Sequence, residues 1–340
     1  MNNRKGYIDV AKGIGILLVV TGHCDIASQL VRDWIYTFHM PLFFFLSGLI
    51  FNELKYKDNF SLLLKSRLHS LIIPYFLIGI LTYLLWLVIG RNFGIHLSMS
   101  VPWWKPGIGT LFVLPQADYM IHNIALWFLP ALFVATIFYY CIYKAAKTKT
   151  ALILLLLFMA ILSWLDSFFP HFYLIGCINI ALAGVVFLGI AHYLHVVLHI
   201  SFPSSRWKLL LLLLIFAALC VLCFYLNGSV SMRSKTFHNP LLFYLGAFSG
   251  TYMVLFLSLL LPEVKILQYL GKNSIGILGF HQAGFSFTSA MIKILLKTDY
   301  LTIKNSLAGH WLYFIVSLIF SLIVWDVLKR LIPWLSKERR

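Results

Sequence analysis

Ten apolar runs follow one another along the 340-residue chain, at roughly residues 8–28, 35–53, 70–90, 122–143, 150–167, 173–198, 207–227, 240–260, 273–292 and 309–331. Each is long enough for a helix to cross a hydrocarbon core of about 30 Å. Stretches such as Leu152–Trp164, Trp207–Leu226 and Trp311–Leu328 are too apolar for a water-facing domain. Hydrophobic residues make up 61% of the chain, charged residues only 11%, and the mean hydropathy is +0.89. That balance cannot cover a soluble core, so the pattern predicts an all-α polytopic membrane protein of about ten transmembrane helices. No repeat, low-complexity tract or soluble segment interrupts it, and residues 1–340 read as a single multi-span membrane domain.

The formal charge of +16 is read from its placement rather than as a nucleic-acid surface. With a cytoplasmic N-terminus, 18 of the 27 lysines and arginines fall on the inner side, from Arg4 and Lys5 to the Lys329–Arg340 cluster. Eight fall outside, and Lys12 lies within the first span. The positive-inside rule then expects both termini in the cytoplasm. The basic n-region is not followed by a small-residue cleavage site, so the first segment is expected to be retained.

That first segment, Tyr7 to Cys24, carries Asp9, Lys12 and His23 where an anchor needs none. Ionisable groups in a span are costly and usually face a protein interior or a water-filled cavity, which makes them functional candidates. Lys12 and His23 are eleven residues apart, about 16 Å of helical rise and close to three turns, so they share one face. Lys12 has two readings, an internal pair with Asp9 one turn away or a contact with a ligand's phosphate or carbonyl. His23 is either a histidine satisfied by a backbone carbonyl or a base for an alcohol proton.

Elsewhere, His39 precedes Pro41 and lies on the same helical side as Ser47. Both suit either an acceptor pocket or polar helix packing. Asn273 and Ser274 have the character of a helix N-cap, and His281 lies two turns deeper on Ser274's face. Lys65 and Arg67 form a basic inner patch that serves orientation or binds an anion. Trp103 and Trp104, among prolines in the long loop from Arg91 to Ile121, read as an interfacial anchor or a sugar-stacking platform. His122 beside Trp127 reads as an acceptor contact or a lipid-interface residue. His192, His195 and His199 share a stripe without a nearby carboxylate or cysteine, and read as interfacial rather than metal-binding. Five cysteines in apolar runs, including Cys220 and Cys223, do not form a disulfide framework. No metal site is expected.

Four stretches, taken in order, resemble the integral-membrane acyltransferase 3 family. They are Tyr7-Ile-Asp-Val-Ala-Lys-Gly-Ile-Gly through His23, Phe38-His-Met-Pro-Leu-Phe-Phe-Phe-Leu-Ser-Gly48, Arg67 through Pro74-Tyr75, and Leu270-Gly-Lys-Asn-Ser through His281. Trp127-Phe-Leu129 adds a weaker match, and the resemblance covers most of the chain. At position 12 the family's usual arginine is a lysine, which keeps the charge but loses the planar bidentate fork.

The resemblance implies an O-acyltransferase that moves an acyl group, commonly acetyl, onto sugars of surface polysaccharides. Acetyl-CoA or another acyl-CoA is then a donor substrate, and no bound cofactor is implied. The expected acceptor is a surface glycan or a lipid-linked saccharide, and the expected location is the cell membrane, among its lipids. His23 is the expected catalytic residue, as base or as covalent acyl acceptor. Lys12, Asp9 and Arg67 are expected at the donor. His39, Ser47, Trp127, Asn273, Ser274 and His281 are expected around the acceptor. A glycan or lipid-linked-sugar carrier without transferase chemistry is the alternative; related halves with broken helices, frequent in such carriers, are not seen in the sequence.

Overall fold

The structure, a computed structural model, describes residues 6–24, 26–57, 59–93 and 100–335. Arg4, Lys5 and the last residues of the basic C-terminal cluster lie outside the described residues. Ten long helices follow in chain order: α1 Gly6–Gly22, α2 Gln29–Leu49, α3 Phe60–Phe93, α4 Ile124–Ala145, α5 Lys149–Ser167, α6 Ile175–Val197, α7 Arg206–Asn227, α8 Pro240–Leu260, α9 Ser274–Leu295 and α10 Leu307–Leu331. There is no named strand among the described residues, only an isolated antiparallel bridge between Ser231 and Thr236.

Seven of these helices, α3 to α8 and α10, are long and apolar enough to cross a membrane, among the described residues. The three others occupy expected spans but differ in kind. α1 has 17 residues, and α1, α2 and α9 carry the polar groups Asp9, Lys12, His39, Ser47 and His281. They are also interior elements. α2 is the central stave, packed against α1, α6 and α8, with Phe38, Leu42, Phe44, Phe45 and Leu46 all fully buried. By contrast α5 and α7 present Leu154, Leu157, Ile161, Leu211, Leu214 and Ile215 outward. Apolar surface of this kind is stable only against lipid or another apolar partner.

Local sequence explains the helix ends. Ser28, Thr148, Asn239 and Ser306 are N-caps whose side chains accept backbone N–H bonds at the starts of α2, α5, α8 and α10, satisfying donors that have no intrahelical partner. Pro41 sits inside α2 and cannot donate to the carbonyl four residues back. α3 contains two wider π turns, Leu68–Ile72 and Trp86–Gly90.

Helix approach depends on small residues. Gly13 of α1 faces the Leu267 carbonyl, and Gly271 faces the Asp9 carbonyl, so the short helix Lys265–Lys272 lies directly on the α1 backbone. In a bilayer, where lipid tails are as apolar as leucine, such close approach replaces the hydrophobic drive between helices. Gly13→Val would force its side chain into that carbonyl. The expected loss is at least about 2 kcal/mol, the scale of overpacking a tight contact, read as earlier thermal unfolding of the purified protein in detergent. An unchanged unfolding temperature would contradict this packing.

A candidate active site around His23

α1 does not run to residue 28 as the hydropathy predicts; it stops at Gly22, and His23 follows in a turn, its N–H 3.1 Å from the Val20 carbonyl. The stop is built by Tyr36 of α2. Its hydroxyl donates to the Gly22 carbonyl at 2.7 Å, and its ring lies where a side chain at position 22 would sit. The hydroxyl satisfies one of the last carbonyls, which have no intrahelical partner, and the glycine leaves room for the ring. His23 thereby stands just beyond the helix in which the sequence placed it, and lines open space.

Two cavities meet at that residue. The larger, about 860 Å³, is walled by the second π turn of α3, the loop before α4, α9 and α10, including Trp86, Ile89, Pro102, Ile121, Phe285 and Tyr313. The smaller, about 210 Å³, is lined by Tyr36, His39, Trp127, Ser231 and Arg233 among others. His23 lines both.

Three further histidines surround the space, and their hydrogen bonds set their tautomers. His281 is fully buried, its ring centroid 5.3 Å from that of His23. Its Nδ1 lies 3.0 Å from the carbonyls of Ile277 and Leu278, so it donates there. Nε2 therefore keeps its lone pair and has no hydrogen-bond partner among the described residues. His39 Nδ1 donates likewise to the Ile35 carbonyl at 2.9 Å, and its ring packs against Tyr36. His122 sits on the wall of the larger cavity. Thr110 gives its proton to the Pro106 carbonyl, so it accepts from His122 Nε2 at 3.1 Å, leaving the Nδ1 lone pair bare.

The walls are fixed by long-range bonds. Gln282 accepts from the Ile124 N–H at 2.8 Å and Asn123 donates to the Gly279 carbonyl, locking α9 to the start of α4 and so His281 to Trp127. Arg233 comes from the loop between α7 and α8, and donates to the Pro115 carbonyl at 3.0 Å. Burial draws its guanidinium pKa downward, opposed by the phenols of Tyr173 and Tyr36. Two residues on, Lys235 is almost wholly buried, 3.1 Å from Asp166 and donating to the carbonyls of Phe169 and Phe172 at 2.8 and 2.7 Å. It ties the Arg233 loop to the end of α5, where a cation also meets the negative end of the helix.

The structure thus brings His23, His39, Trp127 and His281 together and adds Tyr36, His122, Arg233 and Gln282. The other expected residues lie elsewhere. Ser47 donates to the Phe43 carbonyl of its own helix at 2.8 Å, about 12 Å of rise from His39. Asn273 occupies the cap position of α9 without capping it. Its amide donates to the Tyr269 carbonyl and accepts from Lys329, and neither it nor Ser274 lines either cavity. Asp9 is buried near Gly271, Lys12 is half-buried, and neither is without a partner. Arg67 lies at the far end of α3, its Nε buried without a hydrogen-bond partner among the described residues.

Two sequence readings are corrected and a third narrows to one of its alternatives. Trp103 and Trp104 are exposed and line neither cavity, which matches the interfacial reading; Trp127 is the indole of the smaller cavity. His192 is not interfacial but fully buried, bonded to the Tyr139 hydroxyl at 2.7 Å and 3.5 Å from Glu53. The first span is shorter than expected, as described above. Among the described residues no group of three histidines, cysteines or carboxylates could hold a metal, and all five cysteines are free.

A helical bundle with apolar outer faces and a histidine-centred double cavity defines a multi-pass membrane protein with an internal site. The acyltransferase 3 family model, described as an acyltransferase domain, matches residues 5–330, and the chain belongs to that family. It is a membrane acyltransferase. No curated protein and no solved structure matches it.

The anchoring role of Lys235 makes a prediction. Lys235→Met leaves the partly buried Asp166 without its cation, and breaking a fully buried pair costs about 3–5 kcal/mol, which sets the upper end of the expected loss. The Lys235→Met, Asp166→Leu double variant should recover part of that loss, as read by thermal unfolding of all three proteins in detergent. A double variant no better than the single one would show that the pair does not hold the loop.

Proposed function

We propose that the protein transfers an acyl group, most simply acetyl, from cytosolic acyl-CoA to a hydroxyl of a cell-surface polysaccharide or its lipid-linked precursor. The observation that carries this reading is the position of His23, the residue common to both cavities, with the His281 ring 5.3 Å away, centroid to centroid, and its Nε2 lone pair bare. A neutral imidazole takes the proton of the acceptor hydroxyl as its oxygen bonds to the thioester carbon. The tetrahedral intermediate then expels the CoA thiolate, which leaves with the proton from the imidazolium. Attack by His23 itself, forming an acyl-imidazole that the hydroxyl then opens, uses the same residue.

The topology belongs to the same reading: ten spans, both termini in the cytoplasm and the cell membrane as the location. The cavities then lie on the outer side with the acceptor. Asp9, Lys12 and Arg67 lie toward the cytosol, where acyl-CoA is made. From Arg67 to Leu85, at the cavity wall, α3 rises about 27 Å, so the donor's nucleotide and its thioester would occupy opposite ends of the molecule. The bare Arg67 Nε supports an anion site there, with Lys12 as a second contact for the donor.

His23→Ala is expected to lower transfer of radiolabelled acetyl groups from acetyl-CoA by a factor of about 10²–10⁴, with insertion and thermal unfolding like wild type. Full retention of transfer in that variant would remove His23 from the mechanism, and a carrier would show no transfer in either protein. Arg67→Ala and Lys12→Ala are expected to raise KM for acetyl-CoA by about tenfold, the scale of one lost charge-assisted hydrogen bond. An unchanged KM would place the donor elsewhere.

A further inference from the structure

The small cavity holds a cation that proton transfer at His23 does not require. Arg233 lines it together with Tyr36 and Trp127, and among the described residues no aspartate or glutamate lines it. The neighbouring carboxylate, Asp166, is already engaged by Lys235 at 3.1 Å. Arg233 meets a neutral partner instead, the Pro115 carbonyl. The loop that carries it is held by Lys235 and by the Ser231–Thr236 bridge, so the guanidinium is in place before any ligand arrives. A held cation in a partly dry cavity that no carboxylate among the described residues lines is electrostatically incomplete. A carboxylate or phosphate would complete it through bidentate, charge-assisted hydrogen bonds.

The rest of the lining narrows the ligand. At about 210 Å³ the cavity has room for about seven waters, which suits one pyranose ring. Trp127 is almost wholly buried yet lines the cavity, an indole surface suited to the apolar face of such a ring. His39 and Ser231 add polar groups for hydroxyls.

Resting on the acyltransferase reading, we propose that the small cavity binds one acidic sugar residue of the acceptor. Its carboxylate or phosphate pairs with Arg233, its ring lies against Trp127, and one hydroxyl turns toward His23. The larger, more apolar cavity on the other side of His23 is left for the remaining substrate. Arg233 is thus a specificity-determining residue, selecting charged over neutral sugars.

The test is equilibrium binding of methyl glucuronoside, glucose 6-phosphate and methyl glucoside to the purified full chain in detergent, followed by saturation-transfer NMR. Wild type is expected to bind at least one of the two acidic sugars about tenfold or more tighter than the neutral one, the scale of a charge-assisted hydrogen bond. Which acidic sugar wins separates carboxylate from phosphate recognition. Arg233→Gln should bring all three sugars to similar affinity, and Arg233→Lys, which keeps the charge, should retain part of the preference. Equal binding of acidic and neutral sugars by wild type, no binding of any of them, or a preference that survives in Arg233→Gln would each overturn the proposal. Monomethyl succinate serves as a further arm: Arg233-dependent binding of it, without discrimination among the sugars, would assign the cation to the acyl group and overturn the sugar subsite. No acyl donor enters these measurements. Transfer without acid preference therefore counts against the subsite, while acid-selective binding without transfer counts against the reaction.

Discussion

The structure depends on how closely other backbones approach α1. A helix carrying Asp9 and Lys12 cannot face lipid, because hydrocarbon offers its charged groups no partner. It must be enclosed, and the glycines at 13 and 271 allow the short helix after α8 to lie flush against it. α2 closes a second side and α9 a third. Without that enclosure the polar face of α1 would have no compartment to line. His23 would then point into solvent or lipid instead of into two cavities.

The enclosure explains why the polar helices differ from the lipid-facing ones. α5 and α7 are leucine-rich sleeves whose side chains mostly look outward, whereas α2 is a ladder of buried aromatic rings. The division of labour is between spans that meet lipid and spans that meet each other. Interior helices can carry histidine, serine and proline once their neighbours shield them. α2 and α9, which bear His39 and His281, fall outside the seven plainly apolar helices in that way, and α1 falls short of them at 17 residues.

Much of the fold was legible because it is local. The runs at 150–167, 207–227 and 240–260 correspond within a residue to α5, α7 and α8. The end of α1 was not, since it is set by Tyr36 fourteen residues away. Of the candidate site, His23, His39, Trp127 and His281 were visible as polar or aromatic residues in recurring motifs. Tyr36 and Arg233 carried no such signal. Arg233 looked like one more outside-loop charge, and only the fold of its loop, pinned through Lys235 to residues more than sixty positions earlier, turns it inward. Trp103 and Trp104 show the opposite case: a conspicuous pair in sequence that the fold leaves exposed, in keeping with the interfacial reading.

Those same bonds of Lys235 and Arg233 constrain how the chain is threaded through the bilayer. The segment after α7 touches Pro115 ahead of α4 and the carbonyls of Phe169 and Phe172 behind α5. Three stretches that touch must occupy the same membrane face, so the chain makes an even number of crossings between each pair. Two helices, α4 and α5, separate the first pair, and α6 and α7 separate the second. The parity is met without reference to charge or hydropathy. Deleting or adding one crossing among these four helices would part the Arg233 loop from Pro115, and a change at α6 or α7 would also part Lys235 from its carbonyls.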